Sequence, residues 1–394
     1  MAAGNEWRVE VGKDSRLTIK ILQGAAEIFG TELAVGQEYA FTNKKLAVFS
    51  WQGCQLQYSG SSQLNEYTSE ETPMSIYANL HFALETKRKE HNPPRVLILG
   101  APDSGKSSLC KILCSYANKM DRFPMFVNLD PSEGVFACPG GLAAAPISDI
   151  LDVQQGWGFA PISGPSLLHP KQPLVYWYGL ELPYTNIKYY SHVISRLALG
   201  VQARLANDVV VRESGVIIDT PAIIDKEQGY NLISSIVADF KIDTMVIVSH
   251  ERLYSDMVRK FKSKVPNILK VPKSGGVVEK EPAYVRSLQA NTIQDYFYGT
   301  FSQVLSPYTT SVPYSAVTVY RVTEEKSHEN LSFLPIGADE EQQDPGALSA
   351  KSNFLVKLET SSILQNCVMA MLNAQPEDPI DVLVESEVLG FVHV

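Results

Sequence analysis

The sequence is poor in cysteine, short of positive charge and without a long hydrophobic run. Five cysteines in 394 residues (Cys54, Cys110, Cys114, Cys138 and Cys367) are too few and too unevenly spaced for a disulfide framework. They read as free thiols in a reducing compartment. Cys110 and Cys114 lie four apart on a predicted helix. With no CxxC motif or paired histidine beside them, they read as small core residues and not as half a metal site. Lysine and arginine number 34 against 43 acidic residues, a formal charge of −9. That excess excludes a protein that coats nucleic acid by bulk charge and leaves open only a local basic groove. No apolar stretch approaches the roughly 20 residues of a membrane span, so no membrane partner is expected. The opening MAAGNEWRVEV lacks the apolar core of a secretory signal, so none is expected. The short run Lys87-Arg88-Lys89 reads as a solvated linker, or as a weak nuclear address.

What is present falls into three textures. Over residues 7–60, "WRVEV", "RLTIKIL", "EYAFT", "KLAVFSW" and "CQLQYSG" alternate apolar and polar residues between short turns, which predicts a small antiparallel β-sandwich. A helical segment over 73–90 runs into "HNPP", whose prolines favour an extended link. From Arg95 the apolar runs "VLILG", "MFVNLD", "GVIID", "TMVIVS" and "NILKV" alternate with helical segments at 105–119, 187–206, 230–240 and 250–264. Such alternation predicts a parallel sheet covered on both faces. After Tyr298, "YSAVTVYRV", "NFLVKLE" and "EVLGFVHV" again look antiparallel, around a Gly- and acid-rich loop at 336–352. The expected fold class is therefore α/β: a central P-loop parallel-sheet domain flanked by an N-terminal β-sandwich and a C-terminal β-rich domain. The expected divisions are 1–72, a helical linker 73–94, 95–299 and 300–394.

"GAPDSGKSS" at 100–108 fits G-x-x-x-x-G-K-[ST] between a predicted strand and a predicted helix. The glycines let backbone N–H groups turn toward a polyphosphate at a helix N-terminus. Lys106 is expected on the β/γ-phosphates and the Ser107 hydroxyl on Mg²⁺. Asp130 and Asp219 end two strands at the carboxyl edge of the sheet, where ligands bind. Either is a candidate to hold Mg²⁺ through a water, or to orient an attacking hydroxyl as a base. The structural alternative for either is a helix cap or turn aspartate. "NKMD" at 118–121 imitates a guanine-reading motif. It directly follows the P-loop helix, at the wrong end of the sheet, so the expected nucleotide is ATP.

The chain also resembles the polynucleotide-kinase-like subunit of the eukaryotic pre-mRNA cleavage and polyadenylation factor, within the RNA 5′-hydroxyl kinase family. The resemblance rests on "AEIFGTEL" (26–33), "GAPDSGKSS", "YTNIKYY" with "ISRLA" (184–198), "HERLY" (250–254), "PKSGGVV" (272–278) and "DYFYG" (295–299). It implies that Glu6 and Lys45 reach the nucleotide base from the N-terminal domain. It also implies that Asp103, Ser104, Gly105, Lys106, Ser107 and Ser108 hold the phosphates, and that Thr185 and Asn186 belong to a clasp near the P loop. The implied partner is the scaffold subunit that also binds the RNA polymerase II C-terminal domain, together with other subunits of the factor, in the nucleus. RNA stays open as a further partner.

Three departures bear on activity. In the lid segment 282–295, where active relatives carry several arginines, only Arg286 remains. "DTPAIIDKEQGY", after the third strand, lacks the tryptophan found there in active relatives. Glu133 stands where they carry glutamine. Together these resemble fungal-type members that retain ATP, and predict a subunit with little or no turnover. The alternative is an active ATP-dependent RNA 5′-hydroxyl kinase, in which Asp130 and Arg286 would act.

Overall fold

A computed structural model describes the chain except residues 61–63, 158–171, 225–227, 301–303, 325–353 and 359–363. The expected loop at 336–352 lies outside the described residues. The N-terminal part contains β1 (Glu6–Val11), β2 (Leu17–Gly24), β3 (Glu27–Ile28), β4 (Thr31–Glu32), β5 (Glu38–Phe41), β6 (Lys44–Phe49), β7 (Cys54–Gly60) and β8 (Asn65–Ser69). They form two sheets, in the orders β4-β3-β6-β1-β8 and β5-β2-β7. The period of two in β1 sends Trp7, Val9 and Val11 into a core shared with Leu17, Ile19 and Ile21 of β2. The same period turns Glu6, Arg8 and Glu10 to the opposite face.

Next come α1 (Met74–Lys89), β9 (Arg95–Gly100), α2 (Lys106–Asn118), β10 (Met125–Asn128), β11 (Gly141–Pro146), β12 (Leu174–Trp177), α3 (Ile187–Asn207), α4 (Val209–Ser214) and β13 (Val216–Asp219). They are followed by α5 (Gln228–Asp239), β14 (Thr244–Val248), α6 (Glu251–Phe261), β15 (Asn267–Val271) and α7 (Pro282–Tyr298). The sheet order is β12-β11-β10-β13-β9-β14-β15. The five strands expected from the sequence are the parallel core, from β10 to β15. Two antiparallel strands, β11 and β12, extend it on one side. β11, "GLAAAP", is fully buried yet built from glycine, alanine and proline, with one leucine, so it carries none of the β-branched signal that marks a strand. Strand β9 shows why both faces are covered. Val96 and Ile98 join the core under α1 and α2, while Leu97 and Leu99 join the core under α3, α5 and α6.

The run Lys87-Arg88-Lys89 is not a solvated linker. Arg88 is 4% exposed, its Nε donates to the Ser214 carbonyl at 2.8 Å, and its fork meets Glu85 at 3.3 Å. Glu85 also accepts Arg122 at 2.7 Å, and Lys87 pairs with Asp243 at 2.5 Å. The last turn of α1 is thus a clamp on the central domain, and only Lys89 is left exposed.

The C-terminal part holds β16 (Val319–Val322), β17 (Leu355–Leu358), β18 (Val368–Leu372), α8 (Ile380–Glu385) and β19 (Val388–His393), with two antiparallel pairs, β16-β17 and β18-β19. It is bolted to the central domain. Asn186 Nδ2 donates to the Thr323 carbonyl at 2.8 Å, the Tyr176 hydroxyl reaches Glu387 at 3.3 Å, and Arg196 pairs with Glu385. Among the described residues no helix is long and apolar enough to cross a membrane.

Candidate nucleotide site

The first strand of the central domain, β9, sits between β13 and β14, and β13 separates it from β10. The carboxyl ends of β9, β13 and β10 therefore lie side by side. They bring the loop 100–105, Asp219 and Asp130 to one edge, as the sequence predicts. Gly105 ends the loop at φ +89°, the left-handed region, and opens α2. A side chain there would also strike Val277, 2.9 Å from the position of its Cβ. Asp103 takes φ +47°, a strained setting for a non-glycine residue that the surroundings must hold.

Lys106 is buried, and its ammonium donates to the Ala101 carbonyl at 2.8 Å. Burial lowers its pKa, while Asp219, Asp130 and Glu133 act to raise it. Asp219 is 2% exposed. Burial, then the charge of Glu133, pushes its carboxyl up to about 7, against a hydrogen bond from Ser107 and the charge of Lys106. Its Oδ1 has no hydrogen-bond partner, and neither does the buried Oγ of Ser104. Buried polar atoms left unpaired are costly, and a cluster of them is the mark of a site built for a ligand. Asp130 Oδ1 accepts the Ser132 amide at 3.0 Å and the Ser132 hydroxyl at 2.6 Å. Burial raises its pKa, followed by the charge of Glu133. Ser107 and Ser108 lie half-buried on the first turn of α2.

Asp219 makes a pH prediction. Its folded pKa lies above the unfolded value, so the nucleotide-free protein binds one proton more than the unfolded chain between about pH 4 and 7. Stability from this group is present below that window and is lost as pH rises through it. Asp219→Asn should therefore raise the melting temperature of the nucleotide-free protein at pH 8 and change it little at pH 4. Equal shifts at both pH values would reject this reading.

A segment from Ser274 to Lys280 crosses the loop and lies against the N-terminal sheet. On the loop side the Lys280 amide donates to Asp103 Oδ2 at 3.0 Å, and its ammonium donates to Glu133 at 2.6 Å. On the sheet side Ser274 donates to Glu6 at 3.4 Å and Tyr67 donates to the Gly275 carbonyl at 3.3 Å. Lys45 donates to the Glu279 carbonyl at 3.3 Å, pairs with Glu10 at 3.1 Å and lies 5.2 Å from the Tyr284 ring centroid. Glu6 is 3% exposed and also accepts Arg8 at 2.6 Å and Thr72 at 2.9 Å. Both residues thus face the central domain. In this structure their polar atoms are engaged by the chain itself.

Comparison with known proteins agrees with this layout. Residues 100–299 match the family model "mRNA cleavage and polyadenylation factor CLP1 P-loop". Residues 1–91 match "N-terminal beta-sandwich domain of polyadenylation factor", and residues 305–394 match "Pre-mRNA cleavage complex II protein Clp1". The chain belongs to the Clp1 family. It is 41% identical to the mRNA cleavage and polyadenylation factor clp1 of Botryotinia fuckeliana, covering 100% of this chain and 86% of that one. It is 38% identical to the Debaryomyces hansenii factor, covering 99% and 87%. A solved Clp1p–Pcf11p complex superposes with a TM-score of 0.86 at 33% identity, over 99% of this chain and 89% of that one.

Other positions singled out by the Clp1 resemblance are placed differently. Asn186 is buried, but its amide goes to Thr323 of the C-terminal part and its Oδ1 caps α3 at the Tyr189 amide. Thr185 lies in the same short 3₁₀ turn, Pro183–Asn186. Arg286 is exposed on α7, and no ion pair or hydrogen bond joins it to the described residues. The side of α7 that meets the Asp130–Gly134 loop carries Gln289, which donates to the Ser132 carbonyl at 3.2 Å, and Thr292, against Gly134. The "NKMD" residues close α2, where Lys119 pairs with Glu27 at 3.4 Å, far from the sheet's carboxyl edge. Cys110 and Cys114 are fully buried, and no metal-ligand cluster occurs among the described residues. Nothing in the spacing of the sequence singles out Lys280. Only its position directly after "PKSGGVVE" hints at a cation over the loop.

Proposed function

We propose that this Clp1-family chain is the ATP-binding subunit of the pre-mRNA 3′-end cleavage and polyadenylation factor, needed for endonucleolytic cleavage and for assembly with a Pcf11-type scaffold. ATP·Mg²⁺ serves it as a structural ligand with scarce turnover. Glu6 and Lys45 lie on the base side, and residues 103–108 hold the phosphates. The orphaned Oγ of Ser104 suits a phosphate oxygen. The orphaned Oδ1 of Asp219, beside Ser107 and Asp130, suits the hydration shell of Mg²⁺. The metal would supply charge on the phosphates. The scaffold is the one that also binds the RNA polymerase II C-terminal domain, and the nucleus is the compartment where this assembly works.

One observation carries the reading of scarce turnover. The lid helix α7 presents uncharged Gln289 and Thr292 to the Asp130–Gly134 loop, and its single arginine points to solvent. Phosphoryl transfer draws about 10³–10⁵ in rate from an arginine placed on the departing group. Binding alone has its own use: a ligand held only by the folded state adds about 4 kcal/mol at a thousandfold excess over Kd. The competing reading, an RNA 5′-hydroxyl kinase using Asp130 and Arg286, is separated by incubation with labelled ATP and 5′-hydroxyl RNA. The expected result is no transfer, with intact ATP seen by native mass spectrometry of the purified protein. Transfer that disappears in Arg286→Ala would establish the kinase instead.

A further inference from the structure

The mouth of the P loop is bridged by an ion pair that the sequence alone does not reveal. Glu133 and Lys280 stand on opposite sides of it, the first in the loop after β10 and the second at the end of the crossing segment. Burial opposes the charge on Glu133, yet Lys280, with Lys111 and Lys106, holds its carboxyl below the usual range. Burial likewise opposes the charge on Lys280, and Glu133 more than offsets it. Three further contacts fix the segment. The Lys280 amide binds Asp103 inside the phosphate loop, Val277 sits on Gly105, and Arg8 lies along the backbone of Gly275 and Gly276. A Cβ on Gly276 would stand 2.7 Å from Arg8 Nε, so this approach exists only because the segment carries glycine there. Arg8 is itself fixed by Glu6, Tyr67 and the Glu71 carbonyl.

We propose that Glu133 and Lys280 form a latch that holds segment 274–280 over the bound nucleotide, with Arg8 as the positioning residue that seats it, and that the latch sets the rate of nucleotide release. The proposal rests on the reading that this loop binds a nucleotide. It also accounts for the acid at position 133, because a carboxylate in place of glutamine is the partner that locks Lys280 across the mouth. A nucleotide would then leave only when the pair opens, and the N-terminal sheet, through Arg8, keeps the segment close enough for it to reclose.

Release of a fluorescent N-methylanthraniloyl-ATP with Mg²⁺, chased by excess ATP in stopped flow, tests this. The informative variant is Glu133→Gln. Removing a negative charge beside a polyphosphate should slow release by simple electrostatics. The latch predicts the opposite, release faster by on the order of tenfold. Lys280→Met should speed release by a similar factor, and the double variant should do little more than either alone. Arg8→Gln should also speed release while the nucleotide-free melting temperatures of the Glu133 and Lys280 variants stay near that of the parent. Parent protein that binds the analogue but releases it no faster after Glu133→Gln overturns the latch alone. Parent protein that carries no nucleotide as purified and does not bind the analogue either overturns the nucleotide reading and the latch together.

Discussion

Purified Lys106→Ala protein is expected to carry no nucleotide, where the parent carries close to one equivalent. Lys106 is buried at the start of α2 with Asp219, Asp130 and Glu133 around it. A polyphosphate entering that site adds negative charge to three carboxylates, and the lysine is the cation in the loop that offsets it. Truncating one partner of a buried charge pair costs about 2–5 kcal/mol, or a loss of affinity of roughly 30- to several-thousand-fold. Isothermal titration with Mg²⁺·ATP, and native mass spectrometry without added nucleotide, give the readout. The nucleotide-free fold should survive, because Lys106 donates only to the Ala101 carbonyl of its own loop. Retention of ATP by Lys106→Ala would mean that the phosphates sit elsewhere. Loss of scaffold binding by the same variant would show that the partner recognises the nucleotide-filled form.

The second large effect concerns stability. Arg88→Ala is expected to destabilise the protein by roughly 3–5 kcal/mol, because it removes one of the two arginines that neutralise the buried Glu85 and leaves the Ser214 carbonyl without its donor. For a cooperative chain of this size, with an unfolding entropy of about 0.8 kcal/mol/K, that is a fall in melting temperature of about 4–6 °C. Lys89→Ala, one residue on and exposed, should change it by less than ~0.5 kcal/mol. Thermal melts of the two variants decide it. Near-equal melting temperatures would mean that the run is the solvated surface its composition suggests.

That contrast shows where the sequence is readable and where it is not. Periodicity reports burial by the chain's own regular pattern, so helices α1, α2, α3, α5 and α6 and the five parallel strands stand out within a few residues. It cannot report burial by a partner that arrives from a distant segment. Arg88 looks solvated because Glu85, Arg122 and Ser214 meet it only in three dimensions. β11 is invisible because alanine carries no strand preference, although its burial between β10 and β12 forces one. The phosphate loop is legible because its chemistry is local: one stretch of nine residues holds the glycines, the lysine and the hydroxyls. Glu6 and Lys45 are the reverse case. Only family resemblance assigns them, since the segment they face lies more than 200 residues away in sequence. Lys280 and Arg8 escape for the same reason.

The bolts between the central and C-terminal parts carry a consequence for how the molecule melts. Asn186 spends its amide on Thr323, Tyr176 reaches Glu387, and Phe354 packs on Tyr189 at 5.1 Å. The Tyr190 hydroxyl, on the same helix, donates to the Leu129 carbonyl at 2.5 Å, one residue before Asp130. Shearing off the last ninety residues would strand that amide and expose the aromatic face of α3. Calorimetry of the intact chain should accordingly record one cooperative endotherm and not a staircase. A loss of grip at the tail would be felt as looseness beneath Asp130.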